Sequence, residues 1–129
     1  MDISSSEKKG MFMEIIQKAA LIYNAIEDKK GSRISVLDIS RISVMADYFI
    51  IADAENYNQL QAIADNVEEQ MNKIGDHCRI EGKSESGWML LDFGDIIVHI
   101  FNKDERMFYD LERLWRDAVS LSKEDLKSL

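Results

Sequence analysis

The chain of 129 residues contains no proline, one cysteine, two histidines and six glycines. A single thiol, Cys78, can form no internal disulfide and cannot assemble a thiolate metal cluster within one chain, so it reads as an inert, partly buried side chain. His77 and His99 are too few and too far apart in sequence to suggest a His-ligated metal centre, and no cofactor is implied. No apolar run is long enough for a membrane span. Residues 1–10, with three consecutive serines and a lysine pair, hold no stretch resembling a secretion signal, which gives the expectation of a cytoplasmic protein with no membrane association. Positive charge is also short: 16 Lys and Arg face 24 Asp and Glu, a net charge of −8. Such a chain repels nucleic-acid phosphates, so direct nucleic-acid binding is not expected, and it would be attracted to a basic protein surface.

What is present is enough for one domain, since 46% of the residues are hydrophobic and 31% are charged. Met13, Ile16, Ala19, Ala20, Tyr23 and Ile26 recur at three- and four-residue steps and predict a helix over 13–28, with Lys29, Lys30 and Gly31 suited to its end. Strands are predicted over 34–39 and over 48–52, the second apolar throughout, as in a strand buried on both faces. Leu60, Ile63, Ala64, Val67, Met71 and Ile74 form a second helical stripe, with Asn56 and Gln59 spaced as a capping box and Gly75 as a stop. Three more strands are expected near 78–81, 88–93 and 96–101. Gly94-Asp95 between the last two has the form of a two-residue type II′ hairpin, because the first loop position requires positive φ. Asp104 can cap a last helix lined by Phe108, Leu111, Leu114, Trp115 and Ala118.

The order α-β-β-α-β-β-β-α implies a single-domain α/β structure with a mixed sheet of about five strands flanked by helices. The expected layout is a flexible extension over 1–12, a folded domain over 13–118 and a polar, fraying tail over 119–129. No glycine-rich phosphate loop and no G-x-S-x-G elbow is present. The strongest catalytic alternative is a magnesium-dependent nucleotidyltransferase using the strand-borne acids Asp38 and Asp92, with Asp95 nearby. It meets an obstacle at once, because the position two after Asp38, where a second acid would share its strand face, is Ser40. His99 shares strand parity with Ile97 and Phe101, which favours a hydrogen-bonded sheet histidine over a base. Alternation in 88–93 sets Trp88, Leu90 and Asp92 on one face and Met89, Leu91 and Phe93 on the other. A tryptophan and an acid on one face suit an interface, where an aromatic anchor sits beside polar neighbours.

Five segments in order, VLDIS at 36–40, ADYFIIA at 46–52, AIADNVEE at 62–69, GWMLLDFGDIIVHIF at 87–101 and FYDLERLW at 108–115, closely resemble the ribosomal silencing factor, or Iojap, family. The resemblance implies a nucleotidyltransferase-like sheet that has lost transferase chemistry and acts by occupancy, as a binding protein and not an enzyme. It further implies binding to ribosomal protein L fourteen on the joining face of the large ribosomal subunit. That would obstruct the small subunit and repress translation when nutrients are scarce, with a part in late ribosome biogenesis. Carried onto this chain, the partner-binding residues would be Trp88, Leu90 and Asp92, and further along Tyr109 and Glu112, with no metal and no cofactor. A homodimer built on the same surface is a further possibility, since a self-complementary patch closes a two-fold pair.

Overall fold

In the computed structural model of the protein, which describes residues 13–105 and 118–127, the first helical stripe forms α1, Ile15–Asp28. Gln17 Oε1 accepts a hydrogen bond from the Glu14 backbone N–H at 2.9 Å and satisfies one of the orphan donors at its start. The chain continues into β1, Ser32–Asp38, and β2, Tyr48–Ala54. The second helix, α2, spans Tyr57–Lys73. Its cap is Asn56, whose side chain accepts the Gln59 N–H at 2.8 Å. Gln59 reaches back to the Glu55 N–H at 2.5 Å, one residue earlier than a regular capping box, and its amide donates to the carbonyls of Lys29 and Lys30 at 3.0 Å each. One side chain therefore fastens the start of α2 to the end of α1.

After α2 come β3, Arg79–Lys83, a 3-10 turn over Ser84–Ser86, β4, Trp88–Asp92, and β5, Ile96–Asn102. The expected hairpin is there: Phe93 N–H donates to the Ile96 carbonyl at 2.9 Å, and Gly94 has φ +89° while Asp95 does not take a positive φ, as type II′ requires. Among the described residues the sheet has six strands in the order β3-β4-β5-β2-β1-β6, the last being Val119–Leu121. β2 and β5 run parallel, from Tyr48 opposite Ile96 to Ala54 opposite Asn102, and all other neighbours are antiparallel. The two parallel strands lie at the centre, are buried on both faces and are accordingly almost wholly apolar.

One face of the sheet carries the helices: Ile22, Ile26, Leu60, Ile63, Val67 and Met71 pack on Val36, Ile50, Leu91, Val98 and Ile100. The other carries a second cluster of Leu37, Ile39, Ala46, Phe49, Ile51, Ile97 and Phe101. The chain end departs from the expected fraying tail. Val119–Leu121 pairs with β1, and Lys123–Lys127 forms a short helix, α3, whose Leu126 is buried in the helix-side core. Lys123 Nζ also meets Glu27 Oε1 of α1 at 2.8 Å. A three-residue strand and a five-residue helix are too short to print a periodicity on the sequence, so polarity alone misdescribed them. Residues 103–105 are helical, starting one residue ahead of the expected cap Asp104. The remainder of that expected helix, including Tyr109 and Glu112, lies outside the described residues. Among the described residues no helix is long and apolar enough to cross a membrane.

Candidate functional site

Pairing of β4 with β5 sets Met89 against Ile100 and Leu91 against Val98 beneath the helices. It turns Trp88, Leu90 and Asp92 to the other face, opposite Phe101, His99 and Ile97. This is the alternation read from the sequence. Trp88 and Leu90 are half-buried and rest on the second apolar cluster. Beside them the exposed strand β3 brings Glu81 opposite Leu90 and Lys83 opposite Trp88. Trp88 thus combines a seated ring with an accessible edge and a charged border, the composition of a small contact patch.

His99 holds the tryptophan in place. It stacks on Phe49 at 5.0 Å and on Phe101 at 6.0 Å between ring centroids, and its Nδ1 accepts the Trp88 indole N–H at 3.1 Å. An accepting Nδ1 requires the ring proton on Nε2. Burial lowers the His99 pKa to about 4, so the imidazole is neutral at pH 7, and its role is that of a hydrogen-bonded sheet histidine. The unfolded chain takes up this proton near pH 6.5 and the folded one near 4. Stability from the neutral ring is therefore complete above pH 6.5 and declines as pH falls towards 4, by about 1.4 kcal/mol per pH unit. Urea midpoints measured between pH 7 and pH 4.5 should fall more steeply for the wild type than for His99→Phe, which has no such proton to bind. Parallel curves would remove His99 from the acid response.

Asp92 is engaged within its own hairpin. Its Oδ1 accepts the Gly94 N–H at 2.8 Å, an Asx turn that shapes the hairpin, and its Oδ2 lies 3.4 Å from Arg79 Nη2. Its carboxylate is thus engaged within the hairpin, though still partly open to solvent.

The nucleotidyltransferase alternative is contradicted by the register. Asp38 aligns with Tyr48 and Ile96, which face the helices, whereas Asp92 aligns with Ile97 on the opposite face. Strands β5 and β2 also separate them, a distance on the order of 14 Å at ordinary strand spacing. Two acids so placed cannot share a magnesium ion. Asp38 Oδ1 instead accepts the Ser40 backbone N–H at 3.0 Å and hydroxyl at 2.6 Å. Among the described residues no group of three or more His, Cys, Asp or Glu side chains could hold a metal ion. Burial first, and then Glu68 at 3.8 Å, push the Cys78 thiol up to about 11, so it is protonated at neutral pH as an inert thiol should be.

Two features were not read from the sequence. At the carboxyl ends of the parallel strands β2 and β5, the usual place for a ligand in an α/β sheet, lies a pocket of 310 Å³ lined by Ser32, Arg33, Asp53, Glu55, Lys103 and Asp104. Its charges bind each other: Arg33 pairs with the buried Asp53, and Lys103 Nζ with Glu55 Oε2 at 2.9 Å. The second feature is the loop over 40–47, which holds Ile42, Val44 and Met45 out in solvent. The one available signal was a short apolar stretch between two strands, Ile42 to Ala46, whose spacing fits a strand or a helix equally and so assigns neither.

Fold and surface together define a one-domain α/β protein with an open mixed sheet, helices on one face and an aromatic strip on the other. Residues 13–129 match the family described as "Ribosomal silencing factor during starvation". A Ribosomal silencing factor RsfS of Halalkalibacterium halodurans is 39% identical over 116 residues, covering 89% of this chain and 97% of that protein. The RsfS of Bacillus subtilis is 44% identical over 95 residues, 73% of this chain and 80% of that one. A crystal structure of a protein from Chromobacterium violaceum superposes with a TM-score of 0.77 at 34% identity, covering 80% of this chain and 87% of that one. The chain belongs to the ribosomal silencing factor family, which also takes in the chloroplastic Iojap protein of Zea mays, 32% identical over 84% of this chain and 47% of that protein.

Proposed function

We propose that this protein binds ribosomal protein L fourteen on the joining face of the large ribosomal subunit and sterically blocks docking of the small subunit, so repressing translation under nutrient limitation. The observation that carries this reading is the family match over residues 13–129. The half-buried Trp88 and Leu90 on the helix-free face support it physically, because a contact centred on a seated aromatic ring loses little side-chain freedom on binding. A chain of net charge −8 would approach the protein component of the subunit more readily than its RNA. Trp88 and Leu90 are the central contacts in this proposal, Asp92 borders them, and Tyr109 and Glu112 remain candidates on the strength of the resemblance. Action is by occupancy in the cytoplasm, with no nucleotide consumed.

Co-sedimentation with isolated large subunits, with small subunits as the control, tests the reading: the protein should pellet with the large subunit alone. Equal recovery with both, or with neither, would contradict it. Asp38→Asn should not abolish silencing, because that carboxylate serves a local turn at Ser40 and shares no magnesium site with Asp92; at most binding should weaken modestly, as for loss of one surface charge. Loss of silencing in a folded Asp38→Asn protein would reopen catalysis.

A further inference from the structure

The loop between β1 and β2 exposes apolar side chains that the fold has no use for. Val44 is 106% exposed, Met45 72% and Ile42 46%, and Val119 on the edge strand β6 adds a fourth at 55%. They are held out by an ordered backbone. Ile42 and Ser43 N–H both donate to the Ile39 carbonyl, Met45 N–H to Ser43 Oγ at 3.0 Å, and Asp47 N–H to the Asp95 carbonyl at 2.8 Å. Ala46 is buried beneath them. Large apolar side chains clustered on one short loop and held in water commonly mark a contact site. A groove of 440 Å³ between Ile42 and Val119, floored by Asp38 and Arg41, has room for one apolar side chain from outside.

The rim says what kind of partner fits. Among the described residues, Asp38, Asp47, Asp92 and Asp95 lie at this end of the sheet with two cations, Arg41 and Arg79, so these four negative and two positive groups sum to −2. Asp38 and Asp47 add to burial in raising the pKa of Tyr48, which stands between them. An acidic rim repels nucleic acid and anionic lipid, and in a symmetric pair of this chain the same acids would face each other across the two-fold axis. A basic protein surface offering an apolar side chain is complementary.

We propose that the loop over 40–47 is a second contact area, in which Val44, Met45 and the Ile42–Val119 groove dock on a basic, partly apolar protein surface of the large subunit while the surrounding acids meet its cations. The proposal rests on the ribosome-binding reading and enlarges its footprint from the Trp88 and Leu90 row around the end of the sheet.

The test compares wild type with the double variant Val44→Ser/Met45→Ser, and with Asp47→Asn/Asp95→Asn, for binding to isolated large subunits. Urea unfolding and analytical ultracentrifugation are run on the same samples. Both variants should unfold as wild type does, and the apolar double variant should bind about tenfold more weakly. Binding by that variant equal to wild type would overturn this inference while leaving the ribosome reading intact. Failure of the wild type itself to bind would overturn both. A variant that loses only self-association would show the patch to be a contact between copies, and a badly destabilised one would show the side chains to be internal; either result also overturns the proposal.

Discussion

Trp88→Ala should weaken binding to isolated large subunits by at least about thirtyfold, or 2 kcal/mol, the loss that accompanies truncation of a central aromatic contact. A tryptophan serving only as an interface anchor would be removable at little cost in stability. The structure changes that expectation, because the ring rests on the second apolar cluster and its N–H satisfies Nδ1 of the buried His99. Removing it strands that acceptor, at about 1–3 kcal/mol, and uncovers part of the cluster. Binding and stability should therefore fall together. What separates contact from support is Met89→Ala on the opposite face, a buried core position. That change should cost about 2–5 kcal/mol of stability and, in conditions where the protein remains folded, leave binding unaltered. If both variants lose binding in proportion to stability, Trp88 is a support residue and the proposed contact lies elsewhere.

Gly82→Ala should damage the same patch without replacing any of its side chains. Gly82 sits in β3 opposite Met89 with φ +81°, and a Cβ there would lie 2.4 Å from the Trp88 carbonyl oxygen and 2.9 Å from its Cε3. Backbone strain alone costs about 1–3 kcal/mol, and a backbone contact this short must be relieved by moving β3 away from β4. Gly75→Ala is the matched control: φ is +84° but nothing lies within 4 Å of the added methyl. The difference between the two in urea unfolding isolates the contact with Trp88, and Gly82→Ala should be the less stable by at least about 1 kcal/mol. The Trp88 fluorescence should shift in Gly82→Ala and stay fixed in Gly75→Ala. Equal stabilities would mean that the edge strand gives way freely and that β3 does not position Trp88.

Strong periodicity made most of the fold legible in advance. The stripes from Ala19 to Ile26 and from Leu60 to Met71 became the two helices under the sheet, and the apolar run at 48–52 and the one at 96–101, broken only by His99, became its central parallel pair. The strip on β4 was legible for the same reason, since a strand's two-residue period assigns Trp88 and Leu90 to one face whatever their partners are. The partners themselves were not. That His99 accepts from Trp88, or that Asp38 and Asp92 fall on opposite faces, depends on register between strands distant in sequence, which no local pattern records. The sixth strand was missed because an edge strand of three residues, Val119–Leu121, with two exposed positions looks like polar loop. Ile42, Val44 and Met45 were passed over because so short an apolar stretch fits strand and helix spacing alike and carries no element assignment, although their exposure is what makes them informative.

The central claim is that the protein acts by occupying the large subunit, and subunit joining is its most direct measurement. Purified large and small subunits are mixed at a magnesium concentration that supports association, and light scattering is followed with increasing protein and no added nucleotide. Pre-incubation with the large subunit should suppress the rise in scattering in a saturable way, and Trp88→Ala should require a correspondingly higher concentration to do so. An undiminished rise at saturating protein would contradict the account.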